Sequence, residues 1–221
     1  MNKTNSIKKE DDFSLDELGD ILSGMPLDVA NLQLPSPELR NYYRDEQSRI
    51  IRISGEINDY TIGVVDRILY YNSVDKNIPV EERKPIKIYI DTTGGSVPVM
   101  WSIMNAIKIS KTPVWTINMS KALSAGSQIL VAGHKRFAMP GSTVLIHSGS
   151  CFYGGTQEQA ESAKKYYDAM SKKTDEFLLS RTKIDAKVLK KKAPFDWYIS
   201  EDEALELGVI DKIVDDIYEI M

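Results

Sequence analysis

Two histidines are the first candidates for chemistry, because histidine changes its charge most readily near neutral pH. His147 ends an apolar strand pattern, Val144 to Ile146, and a loop with several glycines follows it. Catalytic groups gather in loops at strand ends, so His147 is a candidate general base. His134 follows Gly133 just after a predicted helix, where a cation would meet the negative end of the helix dipole. We expect His134 to lie on the surface.

A general base needs a group to deprotonate, and Ser124 is the best-placed hydroxyl. It lies between a predicted strand at 114–118 and the following helix, within the segment KALSAGS (121–127). Free N–H groups and the dipole at a helix N-terminus favour negative charge. They would favour both an attacking alkoxide and the oxyanion formed in acyl transfer. The alternative is that Ser124 only caps the helix, which is the commoner role at such a position.

A glycine pair, Gly94 and Gly95, ends another predicted strand just before a helix. Glycines there allow close approach of the backbone and leave N–H groups free for a ligand. The alternative is a tight turn between strand and helix.

Cys151 is a weaker candidate for a nucleophile. It lies in a loop and not at a helix start, so nothing evident lowers the pKa of its thiol. Two histidines and one cysteine lack the usual spacing of metal ligands, and no Walker-type phosphate loop is present. We therefore expect no metal and no cofactor in this chain.

The predicted elements around these residues alternate between strands and helices. Strands are predicted at 49–55, 86–90, 114–118, 135–139, 142–147, 197–199 and 209–214. Helices are predicted at 59–71, 96–110, 124–132 with Gly133 as its cap, 156–181, and from 200 to a cap at Gly208. This alternation predicts an α/β domain with parallel strands and right-handed crossovers.

The segment 156–181 is the longest predicted helix, about 38 Å long at about 1.5 Å per residue. Its apolar and small residues follow three-four spacing and form a narrow stripe among charged positions. The stripe consists of Ala160, Ala163, Tyr167, Met170, Thr174 and Phe177. So narrow a stripe favours packing against another helix, for example one from another subunit. The alternative is an ordinary surface helix on its own domain.

Residues 1–45 form a predicted N-terminal arm that precedes the domain at 46–221. The first 13 residues are polar and charged, which predicts disorder. A short amphipathic helix is predicted within 14–24, and a second begins at Ser36-Pro37. Helices this short need a surface on which to dock.

Composition argues against several functional classes. The 221 residues include 28 Lys and Arg against 32 Asp and Glu, a formal net charge of -4. A protein that neutralises phosphates carries a basic excess, so we expect no nucleic-acid partner. The longest uncharged stretch, 137–157, contains Pro140 and four glycines, which argues against a membrane span. One cysteine and an N-terminus without an apolar signal segment predict a cytoplasmic protein.

The order Gly-Gly, Ser, His and Asp in this chain resembles the proteolytic subunit of the ATP-dependent Clp protease. The resemblance covers 49–214, about three quarters of the chain. The matching segments are RII leading to GEI (49–57), YIDTTGG (89–95), MSKALSAG (119–126), PGSTVLIH (140–147), DWYIS (196–200) and GVID (208–211). Each segment is short, but their order and separations are together highly specific.

The resemblance implies a serine endopeptidase. Ser124 matches the nucleophile, His147 the general base, and Asp196 the acid that orients the histidine. The backbone N–H groups of Gly95 and Ala125 match the oxyanion hole. A serine hydroxyl is inert without a base, and the base needs a carboxylate, which we expect to be buried, to fix its tautomer and stabilise the imidazolium. From position alone, Asp196 would be interpreted as a turn residue after a proline.

The resemblance also implies the fold and the assembly. The fold is the crotonase-like α/β superhelix, in which the helix at 156–181 is a handle that meets its counterpart from an opposing ring. The implied assembly is a homo-oligomer, two stacked heptameric rings around a closed chamber. A separate AAA+ unfoldase would use the ATP and thread unfolded polypeptide substrates into the chamber. The chain departs from the usual family residues at Asp91-Thr92-Thr93, Ser148-Gly149 and Pro194-Phe195.

Three alternatives remain open. A dedicated processing or maturation protease of phage type would use the same fold on few substrates. A catalytically silent ring subunit would serve assembly, although the intact Ser124, His147 and Asp196 argue against it. A crotonase-type acyl-CoA enzyme would share the fold without needing these three residues.

Overall fold

The computed structural model describes residues 36–150 and 154–221, and the chain divides into two units, Met1–Gln47 and Ser48–Met221. In the first unit the described residues form helix α1 (Pro37–Gln47). Ser36 begins this helix as predicted, because its Oγ accepts a hydrogen bond from Leu39 N at 3.3 Å. The helix predicted within 14–24 lies outside the described residues.

A seven-stranded sheet is the centre of the second unit. Its strands are β1 (Ile50–Ile57), β2 (Ile86–Gly95), β3 (Val114–Leu123), β4 (Lys135–Ala138), β5 (Thr143–Ile146), β6 (Trp197–Ser200) and β7 (Lys212–Ile213). The order β1-β2-β3-β4-β7 is parallel throughout. β5 pairs in parallel with β3 and antiparallel with β6. The parallel pairing confirms the prediction of an α/β domain.

Six helices of this unit are described between and after the strands. They are α2 (Gly63–Val74), α3 (Val97–Ile109), α4 (Ala125–Ala132), α5 (Gln157–Arg181), α6 (Ala186–Lys192) and α7 (Glu201–Glu206). Helix α6 was not predicted from the sequence, because four of its seven residues are lysines and no apolar face is evident. Asp185 caps this helix, since its side chain accepts hydrogen bonds from Lys187 N and Val188 N. Within the described ranges, no helix is long and apolar enough to cross a membrane.

The two faces of the sheet pack against separate apolar clusters. Ile86, Ile88 and Ile90 of β2 are fully buried in the larger cluster, which α2, α3 and α4 cover. Tyr89 lies between them and packs against the smaller cluster, because side chains alternate between the faces of a strand. The smaller cluster consists of Ile117, Phe137, Val214 and Ile220. The two clusters thus cover both faces of the sheet at β2, and this packing holds the strand that ends at Gly94 and Gly95.

Three strands differ clearly in length from the prediction. β2 continues past the predicted Ile90 to Gly95. The predicted end of β3 is Asn118, but the strand continues to Leu123 because residues 121–123 pair with β5. The last strand is shorter than the predicted 209–214. Val209 N and Ile210 N donate to Ala204 O at 2.8 and 3.2 Å, so they stay in the turn after α7.

The two predicted glycine caps also differ. Gly208 adopts the left-handed conformation with φ +66°, as expected after a helix. Gly133 ends α4, but its φ of -54° is not left-handed. A Cβ on Gly133 would lie 2.2 Å from Thr116 Oγ1, so glycine is required there by close packing against β3.

Candidate active site

Ser124 lies on a strained turn between β3 and α4. Its φ of 55° and ψ of -120° are rarely adopted by residues other than glycine. Ser124 N donates to Leu145 O at 3.0 Å, and the N and Oγ of Ser127 donate to Ser124 O at 3.0 and 2.7 Å. These bonds hold the turn. The Ser124 hydroxyl makes no capping bond to α4, so the alternative of a serine that only caps the helix is wrong.

The strand register brings a histidine and an aspartate to this turn. β5 pairs with the end of β3, so the residue after β5 lies beside the turn. Ile146 pairs with Trp197 in the antiparallel ladder of β5 and β6. His147 follows Ile146 directly and Asp196 precedes Trp197 directly. The two polar side chains therefore lie on adjacent ends of paired strands.

Three polar side chains lie within hydrogen-bonding distance in series. Ser124 Oγ is 2.8 Å from His147 Nε2, and His147 Nδ1 is 3.0 Å from Asp196 Oδ1. An ionised carboxylate only accepts hydrogen bonds, so Nδ1–H donates to Asp196 and Nε2 accepts from the hydroxyl. In the single chain the Asp196 side chain is 59% exposed. The single chain therefore does not bury this carboxylate, because Asp196 follows the exposed Phe195 outside the core.

The end of β2 lies against the start of α4. A Cβ on Gly94 would be 2.7 Å from Ser124 Cβ and 3.1 Å from Ala125 N. Gly95, the next residue, pairs with Ile57 of β1. Ala125 is the first residue of α4, where N–H groups have no acceptor within the helix. The N–H groups predicted for an oxyanion hole thus belong to Gly95 at the end of β2 and to Ala125 at the start of α4. Both segments lie beside Ser124.

A cavity of about 290 Å³ opens beside Ser124 and His147. Its other walls come from the first turns of α3 and α4, the loop after β5, and the middle of α5. Val97 and Met100 of α3 and Met170 of α5 make it partly apolar. The predicted nucleophile and base therefore face a space that could hold one substrate side chain.

The stripe of α5 lies partly in this cavity. Its six positions are half-buried, whereas the other side chains between 157 and 176 are exposed. Tyr167, Met170 and Thr174 line the cavity. Phe177 packs edge-on against Trp101, with ring centroids 6.3 Å apart. The C-terminal part of the stripe thus packs on its own domain, which agrees with the alternative of a surface helix. Its first two positions, Ala160 and Ala163, lie outside the cavity.

The sequence did not predict two polar residues of the cavity. Asp175 lies on α5; its side chain is exposed, and partial desolvation beside the cavity raises the pKa of its carboxyl. Gln128 of α4 is 7% exposed, and its Oε1 has no hydrogen-bond partner within the described part of the chain. Asp175 is one of many charges on α5, so it gave no signal. Gln128 follows Ser124 by four residues, a spacing that could have placed both on one helix face.

The other candidates lie apart from these residues. His134 is exposed as expected, but its Nδ1 accepts a hydrogen bond from Val114 N at 2.9 Å. Partial desolvation of the ring and repulsion by Arg181 lower the pKa of His134, which disfavours the expected cation. Cys151 lies outside the described residues. Among those that are described, no group of three or more His, Cys, Asp or Glu is arranged to hold a metal ion.

Comparison with known proteins agrees with this architecture. The model of the Clp protease family matches residues 39–216. The ATP-dependent Clp protease proteolytic subunit 2 of Treponema denticola is 34% identical over 169 residues, which are 75% of this chain and 82% of that protein. The α/β fold with its parallel sheet is the one expected from the resemblance. The chain therefore belongs to the Clp protease family and is a serine-type peptidase.

Proposed function

We propose that the chain is the proteolytic subunit of a ring-shaped, ATP-dependent protease that hydrolyses peptide bonds in unfolded polypeptides. Ser124, His147 and Asp196 carry the reaction. The observation behind this proposal is the series of contacts from the Ser124 hydroxyl through His147 to Asp196, at 2.8 and 3.0 Å. At such separations a general base takes a proton directly.

Acylation begins when Ser124 Oγ attacks the carbonyl carbon of the scissile bond. Nε2 of the neutral His147 takes the hydroxyl proton, and Asp196 stabilises the resulting imidazolium. The imidazolium then gives its proton to the leaving nitrogen, so the C–N bond breaks and an acyl ester remains on Ser124. A water molecule, deprotonated by His147, hydrolyses the ester and frees the serine.

The carbonyl oxygen gains negative charge during attack, and we assign its stabilisation to the N–H groups of Gly95 and Ala125. The start of α4 supports this role, because its free N–H groups and its dipole favour an anion. The contact between Gly94 and the turn at Ser124 supports a place for the Gly95 N–H on the same side. Donors fixed in advance stabilise the oxyanion without reorganisation.

The proposed assembly is a pair of stacked heptameric rings that works with an AAA+ unfoldase. The name of the Treponema denticola relative describes a subunit of an ATP-dependent protease. This sequence has no Walker-type phosphate loop, so a separate partner would use the ATP. Asp196 and Phe195 are exposed in the single chain, and contacts between subunits would cover them.

Degradation assays combined with sedimentation test this proposal. The wild-type protein should sediment as a ring assembly, cleave short peptides alone, and degrade folded proteins only with an unfoldase and ATP. Ser124→Ala should keep the assembly and lose cleavage by several orders of magnitude. Cleavage retained in Ser124→Ala would contradict the role of Ser124 as the nucleophile. A fully active monomer would contradict the proposed ring assembly. Degradation of one structural protein but not of random unfolded chains would favour the processing protease.

A further inference from the structure

A buried threonine contacts both segments that carry the donors assigned to the oxyanion hole. Thr92 lies near the end of β2, three residues before Gly95, and its side chain is fully buried. Its hydroxyl binds the backbone at the end of β2, and its methyl group packs on the first turn of α4. Backbone donors stabilise an oxyanion best when their directions are fixed in advance. A residue that fixes those directions therefore contributes to the reaction.

The hydroxyl of Thr92 bridges β1 and β2 where their pairing is irregular. The register shifts between Gly55 and Glu56, so Thr93 of β2 has no opposite residue on β1. Such a bulge disrupts the ladder of hydrogen bonds between the strands. Thr92 Oγ1 donates to Gly55 O on the other strand and accepts from Gly94 N at 3.1 Å. Because the single hydroxyl proton is used on Gly55, the direction of both bonds is fixed.

The peptide between Gly94 and Gly95 is held on both sides. On one side, Gly94 N donates to Thr92 Oγ1. On the other side, Ser96 N donates to Ile57 O at 2.8 Å. The φ angles of Gly94 and Gly95 are +95° and +143°, and glycine has wide freedom in that region, so the backbone alone does not fix this peptide. The direction of the Gly95 N–H therefore depends on these two anchors.

The methyl group of Thr92 packs against α4 just after Ser124. A Cβ on Gly126 would lie 2.3 Å from Thr92 Cγ2, whereas the next nearest atoms would be 3.7 Å or more away. The methyl group thus occupies the space that a side chain at position 126 would need. Because Ala125 directly precedes Gly126, this contact sets the distance between the Ala125 N–H and the end of β2.

We propose that Thr92 is a positioning residue for the oxyanion hole. Its hydroxyl directs the N–H of Gly95, and its methyl group sets the place of the N–H of Ala125. The inference rests on the proposed peptidase function and on the donors assigned to it. Because Thr92 is fully buried, it acts through these backbone groups and not on the substrate itself. Its effect belongs to the transition state, in which the oxyanion forms, and not to substrate binding.

Thr92→Val in the full-length protein tests the hydroxyl, because valine keeps the branched shape of the side chain. We expect kcat for a short peptide to fall roughly 10- to 100-fold and KM to stay nearly the same. The pH dependence of kcat/KM should not change, because the contacts of His147 with Ser124 and Asp196 are left in place. Thr92→Ser keeps the hydroxyl and should retain most of the wild-type kcat.

Thr116→Val is the matched control. Thr116 of β3 is also fully buried, and its hydroxyl donates to Leu130 O, near the other end of α4, at 2.7 Å. Urea unfolding should show a similar loss of stability in Thr116→Val and Thr92→Val, because each leaves a buried acceptor without its donor. In Thr116→Val, however, kcat should stay at the wild-type level.

Gly126→Ala provides a second test, in which the Thr92 hydroxyl stays in place. The added methyl group clashes with Thr92 Cγ2, so kcat should fall about 10-fold or more. Combining it with Thr92→Ser removes the clashing atom and should restore kcat, since the other neighbours of that Cβ lie at 3.7 Å or beyond. Alanine is favourable within a helix, so the double variant should fold.

An unchanged kcat in Thr92→Val overturns this inference and leaves the peptidase function standing. An equal fall of kcat in Thr116→Val also overturns it, because lost stability would then explain the effect. A double variant that is no more active than Gly126→Ala overturns the role of the methyl group. A wild-type protein that neither cleaves peptides nor reacts with a peptidyl phosphonate overturns the peptidase function itself.

Discussion

Gly94 and Ser124 lie so close that a Cβ on the glycine would be 2.7 Å from the Cβ of the serine. Thr92 secures this contact, since its Oγ1 accepts from Gly94 N at 3.1 Å. The same threonine packs on α4, where a Cβ on Gly126 would lie 2.3 Å from its Cγ2. The position of the Ser124 hydroxyl is therefore set by a strand end and a helix start that fit without space between them.

Gly94→Ala should displace the turn that carries Ser124. A Cβ would also meet Leu123 O at 2.7 Å, and φ +95° is unfavourable for alanine. We expect kcat/KM for a short peptide to fall about 100-fold, because a shift of 1 Å at a reacting group costs that much. Gly141→Ala is the control: Gly141 also has a positive φ, +75°, but a Cβ there would have nothing within 4 Å. Equal activity in the two variants would contradict this role of Gly94.

Asp196→Asn should leave the fold intact and lower kcat by roughly 10⁴-fold, the loss known for the same change in the serine protease triad. An amide that accepts from Nδ1–H at one atom and offers N–H at another permits the wrong tautomer of His147. Asp202→Asn is the matched control, because Asp202 is an exposed carboxylate on α7. It should keep full activity. A fully active Asp196→Asn would exclude Asp196 as the third member.

The buried ion pair between Arg49 and Asp75 should govern acid stability. Arg49 Nη1 and Nη2 donate to the two Asp75 oxygens at 2.6 Å each, and the Asp75 side chain is fully buried. The Arg49 hydrogen bonds, and after them the Thr112 hydroxyl, hold the pKa of Asp75 below its usual value. A lowered pKa stabilises the fold above the unfolded value, about 4, and this stabilisation is lost as the pH falls through the folded value.

Urea unfolding of Asp75→Asn tests that pair. At pH 7 the variant should be less stable than the wild-type protein by about 3 kcal/mol, because Arg49 is left without its counter-ion. The difference should shrink as the pH falls from about 4 through the lowered pKa of Asp75, because the wild-type carboxylate is also neutral below that pKa. Asp66→Asn, on the exposed side of α2, should change stability little at any pH. A difference that stays constant with pH would contradict the ionic explanation.

Ala163→Glu should weaken the proposed contact between rings. Ala160 and Ala163 are the first two half-buried stripe positions of α5 and lie outside the cavity, and burying an unpaired charge in a subunit contact is costly. Sedimentation should show smaller species for this variant. Ser162→Glu adds the same charge at the neighbouring exposed position and should keep the assembly. An assembly unchanged by Ala163→Glu would argue against a handle at this part of α5.

Local sequence patterns predicted most of the fold. The apolar period of α3 and the Thr156 start of α5 are local signals, and the structure has both helices close to the predicted bounds. β3 was predicted too short because Ser120 and Lys121 resemble a turn. Their strand conformation depends on pairing with β5, about 20 residues later in the chain, and a local pattern carries no information about such a partner.

Local sequence patterns also predicted one part of the candidate site and not the other. Ser124 and His147 are placed by the elements that directly adjoin them, so a strand end and a helix start sufficed to select them. Asp196 needed the family resemblance, because its neighbour in space, His147, is 49 residues away in sequence. Asp175 and Gln128 lie at one cavity only because α4 and α5 pack together. Nothing local distinguishes that aspartate from the other charges of α5.

The most direct test of the central claim is mass spectrometry of the full-length protein after reaction with a serine-directed phosphonate. The claim is that His147 activates Ser124 as the nucleophile. It predicts one adduct, on Ser124, which disappears in Ser124→Ala and forms orders of magnitude more slowly in His147→Ala. An adduct on Cys151 or on another serine, in a protein that still cleaves peptides, would contradict the claim.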